Sequence, residues 1–405
     1  MPTKIPHPNT DIDVYSPAFA ADPHGHYEKL RALGPIVWMN SLGAWAVTRY
    51  EDVLAILKND DAFLCSGGAG IVNYHKVKPW RPPSVLMEAD APLHKRMRGV
   101  IERILSRDKM KSLEVLFKKD ADEMVNALSL KGTFDAMSDF AYHFPLATLP
   151  DIVGITPEGR ENLVMYGAMV AAGFRGNKDA IAAAMVHADA VLPWIDQCCR
   201  REALADGSLG AQIYEYVDTG EITEEEAGML VRSFLSAGVG TTRNAVAHAI
   251  WCILDNPSQW QLLRKEPTLA EAAFEETLRY GLVDQNCYRT AAHDLEYAGV
   301  SLKQYDKILV SLGAANCDPS RWPDPYRFDL TRDLKGHLGY GYGTHECVAT
   351  MLARFEGVAV LSAFARIIDT IKSVEPVERR IQSGSRAIVR MPVAVTIRSS
   401  GNGLS

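Results

Sequence analysis

Gly339-Tyr340-Gly341-Tyr342-Gly343-Thr344-His345-Glu346-Cys347-Val348-Ala349 is the stretch on which the reading of this chain turns. Glycine recurs at every second position before one cysteine, and Val348 to Phe355 then carries apolar residues at helical spacing. Backbone that lies against a flat partner needs positive φ and no obstructing Cβ, and Gly341 and Gly343 supply both. Cys347 is thereby placed near a helix N-terminus, where open N–H groups and the helix dipole favour a thiolate.

Taken alone, this loop leaves three readings of Cys347 open. A thiolate presented in this way can be the axial ligand of a haem iron, pushing electron density onto the metal and favouring O–O cleavage. A buried structural cysteine in a Gly-rich turn would give the same pattern, since Cys is among the most buried residue types. A tetrahedral metal site is the third reading, although His345 and Cys347 have no second ligand pair near them in sequence.

Composition narrows the class. The chain has 405 residues, of which 47% are hydrophobic and 23% charged, as expected of a globular protein with a large core. A net charge of −7 argues against a nucleic-acid binder. Met1 to Tyr15 is polar and broken by proline, without the ~20 apolar residues of a membrane span, so a soluble, cytoplasmic protein is expected. The seven cysteines are scattered and contain no C-x-x-C, which suits reduced thiols. There are no internal repeats.

Along the chain, Pro23 to Leu33 reads as a helix. Ile36–Met39 and Ala44–Thr48 read as a hairpin, and Tyr50 to Lys58 as another helix. Residues 59–92 are Gly- and Pro-rich and read as a functional loop. His94 and Arg98 then share one face of a helix. From Asp108 to Ala205 the pattern is helical, with interruptions expected at Leu149-Pro150 and Thr156-Pro157. Thr223-Glu224-Glu225-Glu226 is a capping box, opening a helix that can run to Asn256. At its middle lie Ala237, Gly238, Gly240 and Thr241; a Thr241 hydroxyl bonded to the Ala237 carbonyl would open room beside the helix, while Ala237-Gly238 could equally be a helix crossing. Thr268 to Glu271 is expected to cap a further helix to Tyr280, on which Glu276 and Arg279 share a face. Strands are expected at Leu295–Tyr297, Ser301–Leu302 and Lys307–Leu312.

Taken in order, His94…Arg98, Ala237-Gly238…Thr241, Glu276…Arg279, Arg327-Phe328 and the Cys347 loop resemble the cytochrome P450 family over nearly the whole chain. The spacings suit it, with 48 residues from Arg279 to Arg327 and 20 more to Cys347. The family's cysteine pattern, Phe-Gly-x-Gly-x-His/Arg-x-Cys-x-Gly, is met at Gly341, Gly343, His345 and Cys347. Tyr340 replaces the shielding phenylalanine and Ala349 the last glycine. The resemblance implies a mainly α fold with a small β-rich lobe, as one catalytic domain over residues 1–405 with an arm at 1–20 and a frayed tail at 399–405. It implies haem b with Cys347 as iron ligand, and contacts from His94, Arg98, Ala237, Gly238, Arg289, Tyr340, Gly341, His345 and Ala349. It also implies a structural ion-pair triad of Glu276, Arg279 and Arg327, and dioxygen activation beside Thr241. The residue before Thr241 is usually acidic, and here it is Gly240, which cannot carry a proton.

Lys78-Pro79-Trp80-Arg81-Pro82-Pro83-Ser84, Val231-Arg232-Ser233 and Phe274-Glu275-Glu276 resemble the bacterial branch of that family that oxidises para-substituted benzoic acids, commonly by O-demethylation. That resemblance implies substrate contacts at Arg81, Ser84, Ala171, Phe174, Arg232, Ser233, Ser236, Asp284 and Cys287. A carboxylate entering an apolar cavity needs a guanidinium and hydroxyls in place of its water, which Arg81, Ser84 and Ser233 can supply. Ala171 and Cys287 stand where that branch has phenylalanines and Asp284 where it has an apolar residue, so a roomier, more polar pocket is expected. Electrons would come from an iron–sulfur ferredoxin and its NAD(P)H-dependent reductase, with Arg354 a candidate docking contact. The alternatives are a peroxide-using haem-thiolate enzyme, a hydroxylase of terpenoid or other hydrophobic substrates, and a haem-binding sensor or carrier without catalysis.

Overall fold

The computed structural model describes residues 7–176, 178–281, 285–382 and 385–398. Its longest helix, Glu224–Asp255, follows from its sequence at both ends. Thr223 Oγ1 accepts the Glu226 N–H while the Glu226 carboxylate accepts the Thr223 N–H, satisfying two groups that a helix start leaves open. Asn256 and Pro257 end it. At ~1.5 Å per residue its 32 residues span about 48 Å. Leu230, Val231, Phe234, Leu235, Val239, Val246, Ile250 and Ile253 are buried along it, against the helices His143–Val153, Asn162–Arg175, Ala270–Tyr280 and Thr350–Ile367.

The smaller lobe is a mixed sheet of six strands in the order Asn9–Thr10, Val37–Met39, Ala44–Val47, Lys307–Ser311, Asn286–Ala291 and Phe63–Leu64. The expected hairpin pairs Trp38 with Trp45, and Trp45 pairs in turn with Ile308. Val47, Tyr50, Ile56, Ile308 and Trp322 form the core beneath this sheet. Among the described residues, no helix is long and apolar enough to cross a membrane. The tail at 399–405 and Asp284 lie outside the described residues.

Three local expectations are corrected. Pro150 sits inside the helix His143–Val153 instead of breaking it. Burial of Phe144, Leu149, Ile152 and Val153 outweighs the missing N–H, and the helix ends at Gly154 with φ 96°. Thr268 does not cap the helix Ala270–Tyr280, whose N-cap is Leu269 without a side-chain bond. Thr133–Asp135, within the stretch read as helical, is a strand paired with Pro392–Ile397.

A fourth correction concerns the ion-pair triad. Arg279 donates to both carboxylate oxygens of Glu276 at 2.7 and 2.8 Å, with both side chains fully buried. Its remaining donors reach the carbonyls of Asn316 and Pro325 at 2.8 Å and of Arg327 at 3.2 Å. The third cation is Arg332, whose Nε lies 3.3 Å from Glu276 Oε1. Arg327 contributes only its carbonyl; its side chain is 65% exposed and pairs with Asp329. Burial of Phe328 in the core turns the neighbouring Arg327 outward.

A second buried carboxylate has no cation among the described residues. Glu356, 2% exposed on the Thr350–Ile367 helix, is bonded by Thr242 Oγ1 at 3.1 Å and Thr148 Oγ1 at 3.5 Å. Burial pushes it up from 4.5 to about 8, so it is protonated in the folded protein at neutral pH.

Two outcomes follow from these carboxylates. Arg332→Ala should lower the unfolding free energy by about 3 kcal/mol, whereas Arg327→Ala should leave the urea midpoint nearly unchanged. For Glu356 the folded state holds a proton that the unfolded chain has released, so stability falls as pH rises from about 4.5 through about 8. The slope is at most about 1.4 kcal/mol per pH unit. Glu356→Gln should flatten this dependence and unfold at a higher temperature than the parent at pH 8, measured by calorimetry across that range.

Candidate active site

The cysteine loop is held by its own backbone. The Cys347 N–H donates to the Tyr340 carbonyl at 2.9 Å and the Gly341 N–H to the Leu338 carbonyl at 3.0 Å. Gly341 and Gly343 adopt φ of 76° and 75°, where a Cβ is strained. At Gly343 a Cβ would also meet the Leu57 carbonyl oxygen at 2.7 Å. The helix Thr350–Ile367 begins after its N-cap Ala349, and Thr350 Oγ1 donates to the Cys347 carbonyl at 2.6 Å. Cys347 is exposed, in contrast to Cys65, Cys198, Cys199, Cys252 and Cys317, so the reading of a buried structural thiol does not apply to it. Burial holds the Cys65 and Cys199 thiols up at about 12.

The predicted cationic residues gather beside the loop. The rings of His94 and His345 lie 4.0 Å apart. His345 Nδ1 faces the Leu86 carbonyl at 3.2 Å, and burial, then His94 and Arg289, push His345 down to about 4. His94 is lowered by burial, then by Arg98. Arg289 is 5% exposed, with Nη1 3.1 Å from the Tyr288 carbonyl and 3.9 Å from Cys287 Sγ. Among the described residues, neither His94 Nδ1 nor Arg289 Nε, both buried, has a hydrogen-bond partner. Arg98 donates to Glu102 at 2.7 Å and to the Glu346 carbonyl at 2.6 Å. Among the described residues, the one group with metal-ligand spacing is Cys65, Asp90 and His345. It does not include Cys347, and Asp90 already accepts the N–H groups of Cys65 and Ser66 at 2.8 and 3.0 Å.

On the central helix, Thr241 Oγ1 donates to the Ala237 carbonyl at 2.5 Å. Thr241 is exposed midway along an otherwise buried helix, and Ser236, Ala237 and Gly240 on the same face are partly exposed. That face is the more exposed side of the helix at its middle. Gly238 serves a helix crossing, since a Cβ there would sit 2.1 Å from Leu149 Cδ2. A Cβ at Gly240 would have nothing within 4 Å, so the missing acid is not a matter of space.

Arg81, Ser84, Arg232, Ser233 and Ser236, predicted as substrate contacts, line one narrow recess of about 10 Å³ together with Tyr166 and Met229. Ser84 Oγ and Ser233 Oγ are 3.4 Å apart. Arg81 pairs with the buried Glu88 at 3.0 Å and Arg232 with Asp196 at 2.8 Å. Among the described residues, the buried Nε of each guanidinium has no hydrogen-bond partner, while the Arg232 side chain also interacts with the Cys199 thiol. Ala171, Phe174 and Cys287 do not line this recess. Ala171 and Phe174 belong to the helix Asn162–Arg175, where the Phe174 carbonyl accepts the Ile71 N–H at 2.7 Å; Cys287 belongs to the strand beside Arg289.

Behind the cysteine loop is a network that motif reading missed. Glu275 accepts from His337 Nε2 at 2.7 Å, Arg354 Nε at 2.8 Å and the Tyr340 hydroxyl at 3.1 Å. Burial opposes its charge, yet His337 and Arg354 hold it down at about 2. The Gly339 N–H donates to His337 Nδ1 at 3.2 Å, which leaves the ring proton on Nε2. Arg354 is thus engaged with Glu275 and Glu271 rather than offered to a docking partner. Arg332 could have been found from Phe328-Asp329-x-x-Arg332, but Glu88, Glu275 and Glu356 carry no local signal separating them from surface glutamates.

Residues 196–367 match the profile of the family described as Cytochrome P450. The chain is 40% identical over 390 residues to the cytochrome P450 CYP199A2 of Rhodopseudomonas palustris, covering 96% of this chain and 95% of that protein. Among solved structures, CYP109Q5 from Chondromyces apiculatus superposes with a TM-score of 0.82 at 27% identity, over 96% of this chain and 99% of that one. The cytochrome P450 CREJ in complex with (4-ethylphenyl) dihydrogen phosphate superposes with a TM-score of 0.84 at 25% identity, over 96% and 100%. On a full-length relationship of this strength, joined to the glycine-spaced cysteine loop and the exposed Thr241 on the central helix, the chain belongs to the cytochrome P450 family.

Proposed function

We propose that this monooxygenase oxidises a small aromatic carboxylic acid, by O-demethylation or hydroxylation of a para-substituted benzoate, and that Cys347 would hold the iron of its haem. The observation that carries the substrate is the recess where two arginines, each with an unspent buried Nε, meet the hydroxyls of Ser84 and Ser233. A neighbour in fold is known in complex with (4-ethylphenyl) dihydrogen phosphate, also an anionic para-substituted arene, which supports the reading.

Cytochromes P450 hold haem b through a cysteine thiolate, and the residues present fit that group. An exposed cysteine sits on a glycine loop, an open helix face carries Thr241, and the orphaned nitrogens of His94 and Arg289 suit propionates. His94, Arg98, Arg289 and His345 would hold the propionates, Tyr340 would lie behind the sulfur, and Gly341 and Ala349 would flank it. Bound there, haem b supplies the thiolate-ligated iron at which dioxygen is reduced and one oxygen atom is delivered to a substrate C–H bond.

The protein's part is orientation and proton handling. Ser233 and Ser236 precede Thr241 by about 12 and about 7.5 Å of helix rise, a separation that matches one substituted benzene ring. The carboxylate anchored at Arg81 then directs the para group towards Thr241. The Thr241 proton is committed to the Ala237 carbonyl, so its exposed oxygen is left to accept a hydrogen bond. Gly240 offers no proton in support, which favours a second reading in which peroxide replaces dioxygen and the electron chain. In the first reading electrons come from an iron–sulfur ferredoxin and its NAD(P)H-dependent reductase.

Spectral titration of the ferric protein with 4-methoxybenzoate, its 3-hydroxy and 3-methoxy derivatives, the matching methyl esters and camphor tests the substrate. A low- to high-spin shift with the acids alone is expected, and Arg81→Ala should weaken acid binding about tenfold or more. A shift with camphor or the esters and none with the acids would discard the anchor. For the second reading, hydrogen peroxide should support less turnover than NADH with redox partners; the reverse order would replace the monooxygenase cycle by a peroxygenase one.

A further inference from the structure

We infer that Glu88 is the positioning residue of the carboxylate anchor: it sets Arg81 and Ser84 in register with each other and ties them, through Tyr74, to the glycine loop at residues 67–71. The inference rests on the aromatic-carboxylate reading and names the group that makes the anchor rigid. The Glu88 side chain is fully buried, and both of its oxygens are spent. Oε2 accepts from Arg81 at 3.0 Å and from the Ser84 N–H at 2.8 Å. Oε1 accepts from the Tyr74 hydroxyl at 2.9 Å.

This one carboxylate decides the direction of both anchoring groups. The Glu88 N–H returns to the Ser84 carbonyl at 2.9 Å, closing the turn from both ends. Within it the Ser84 oxygen accepts the N–H groups of Leu86 and Met87 at 3.3 and 3.2 Å, so its own proton points away from the turn, towards Ser233 or a ligand. Arg81 is 9% exposed, and a guanidinium so buried needs a counter-charge to remain there. Glu88 supplies it on one edge, with the Pro82 carbonyl at 2.9 Å taking another donor, and Nε stays buried without a hydrogen-bond partner among the described residues.

The same carboxylate reaches the loop over the site. The Tyr74 N–H donates to the Gly67 carbonyl at 3.1 Å, and Lys307 Nζ donates to the carbonyls of Gly67 and Gly68 at 3.2 and 2.6 Å. A Cβ at Gly70 would meet the Phe174 carbonyl oxygen at 2.2 Å, so the loop lies directly on the end of the Asn162–Arg175 helix. A continuous run of hydrogen bonds therefore joins the strand of Lys307 to Arg81.

The test is a double-mutant cycle on the haem-loaded protein, read as dissociation constants for 4-methoxybenzoate and its methyl ester. Glu88→Ala should weaken acid binding about tenfold while leaving the ester within about twofold. Glu88→Gln should restore the acid to within about threefold, because an amide oxygen can take both Arg81 and the Ser84 N–H while its NH₂ meets Tyr74. In an Arg81→Ala background, Glu88→Ala should cost little further, and this double variant removes both charges, so it remains informative where the single one fails to fold. Equal losses for acid and ester, or additive losses in the double variant, would overturn the positioning role. Wild-type protein that binds the acid no better than the ester would overturn the carboxylate reading, and this inference with it. An acid preference that survives Glu88→Ala would overturn this inference alone.

Discussion

A guanidinium removed from water must have its donors satisfied, and Arg279 meets that demand in a way that sets the position of the cysteine loop. Fully buried, it spends donors on Glu276 and on the carbonyls of Asn316, Pro325 and Arg327. Asn316, held by that bond, accepts the Leu338 N–H at 2.7 Å through its side chain. Leu338 in turn accepts the Gly341 N–H, and Tyr340 accepts that of Cys347. The thiol is thus located by a relay that begins at a buried ion pair one helix away. Such a pair adds little net stability over an apolar replacement, but breaking it is costly. Its contribution here is to fix a loop that has almost no side chains of its own to pack.

In the recess, charge is handled by pairing each guanidinium with a carboxylate. Arg81 has Glu88 and Arg232 has Asp196, so both guanidinium groups in the recess are compensated before any ligand arrives. An anion there meets oriented donors rather than bare positive charge, which suits a monoanion bound by geometry. Behind the cysteine loop the sign is reversed, with one carboxylate, Glu275, organising His337, Arg354 and the Tyr340 hydroxyl. Tyr340, unusual for the family in carrying a hydroxyl, has a specific use for it.

The motifs were legible because each is a local demand of geometry. Gly341 and Gly343 announce positive φ, Thr223 and Glu226 a capping box, and Thr241 a bond to Ala237; all three appear as read. The triad was legible as to type but not as to member. Nothing local says whether Arg327 or Arg332 turns inward, because that depends on Phe328 entering the core. Pro150 misled for the same reason, its cost being outweighed by buried neighbours that only the packed helices provide. The strand Thr133–Asp135 was invisible because its partner, Pro392–Ile397, lies more than two hundred residues away.

By itself, then, the sequence determined the family, the mainly helical fold, the cysteine loop, the long central helix and the group of arginines and serines that line one recess. These are matters of backbone conformation, capping and short-range spacing, which a chain specifies within a few residues. Tertiary structure decided which carboxylates are buried and what they do. Glu88, Glu275, Glu276 and Glu356 are one residue type with four environments: the first holds Arg81, the second a network behind the thiol, the third the triad, and the last a proton. The physical reason is that the state of a carboxylate is set by desolvation and by partners brought from distant segments, and neither exists until the chain has folded.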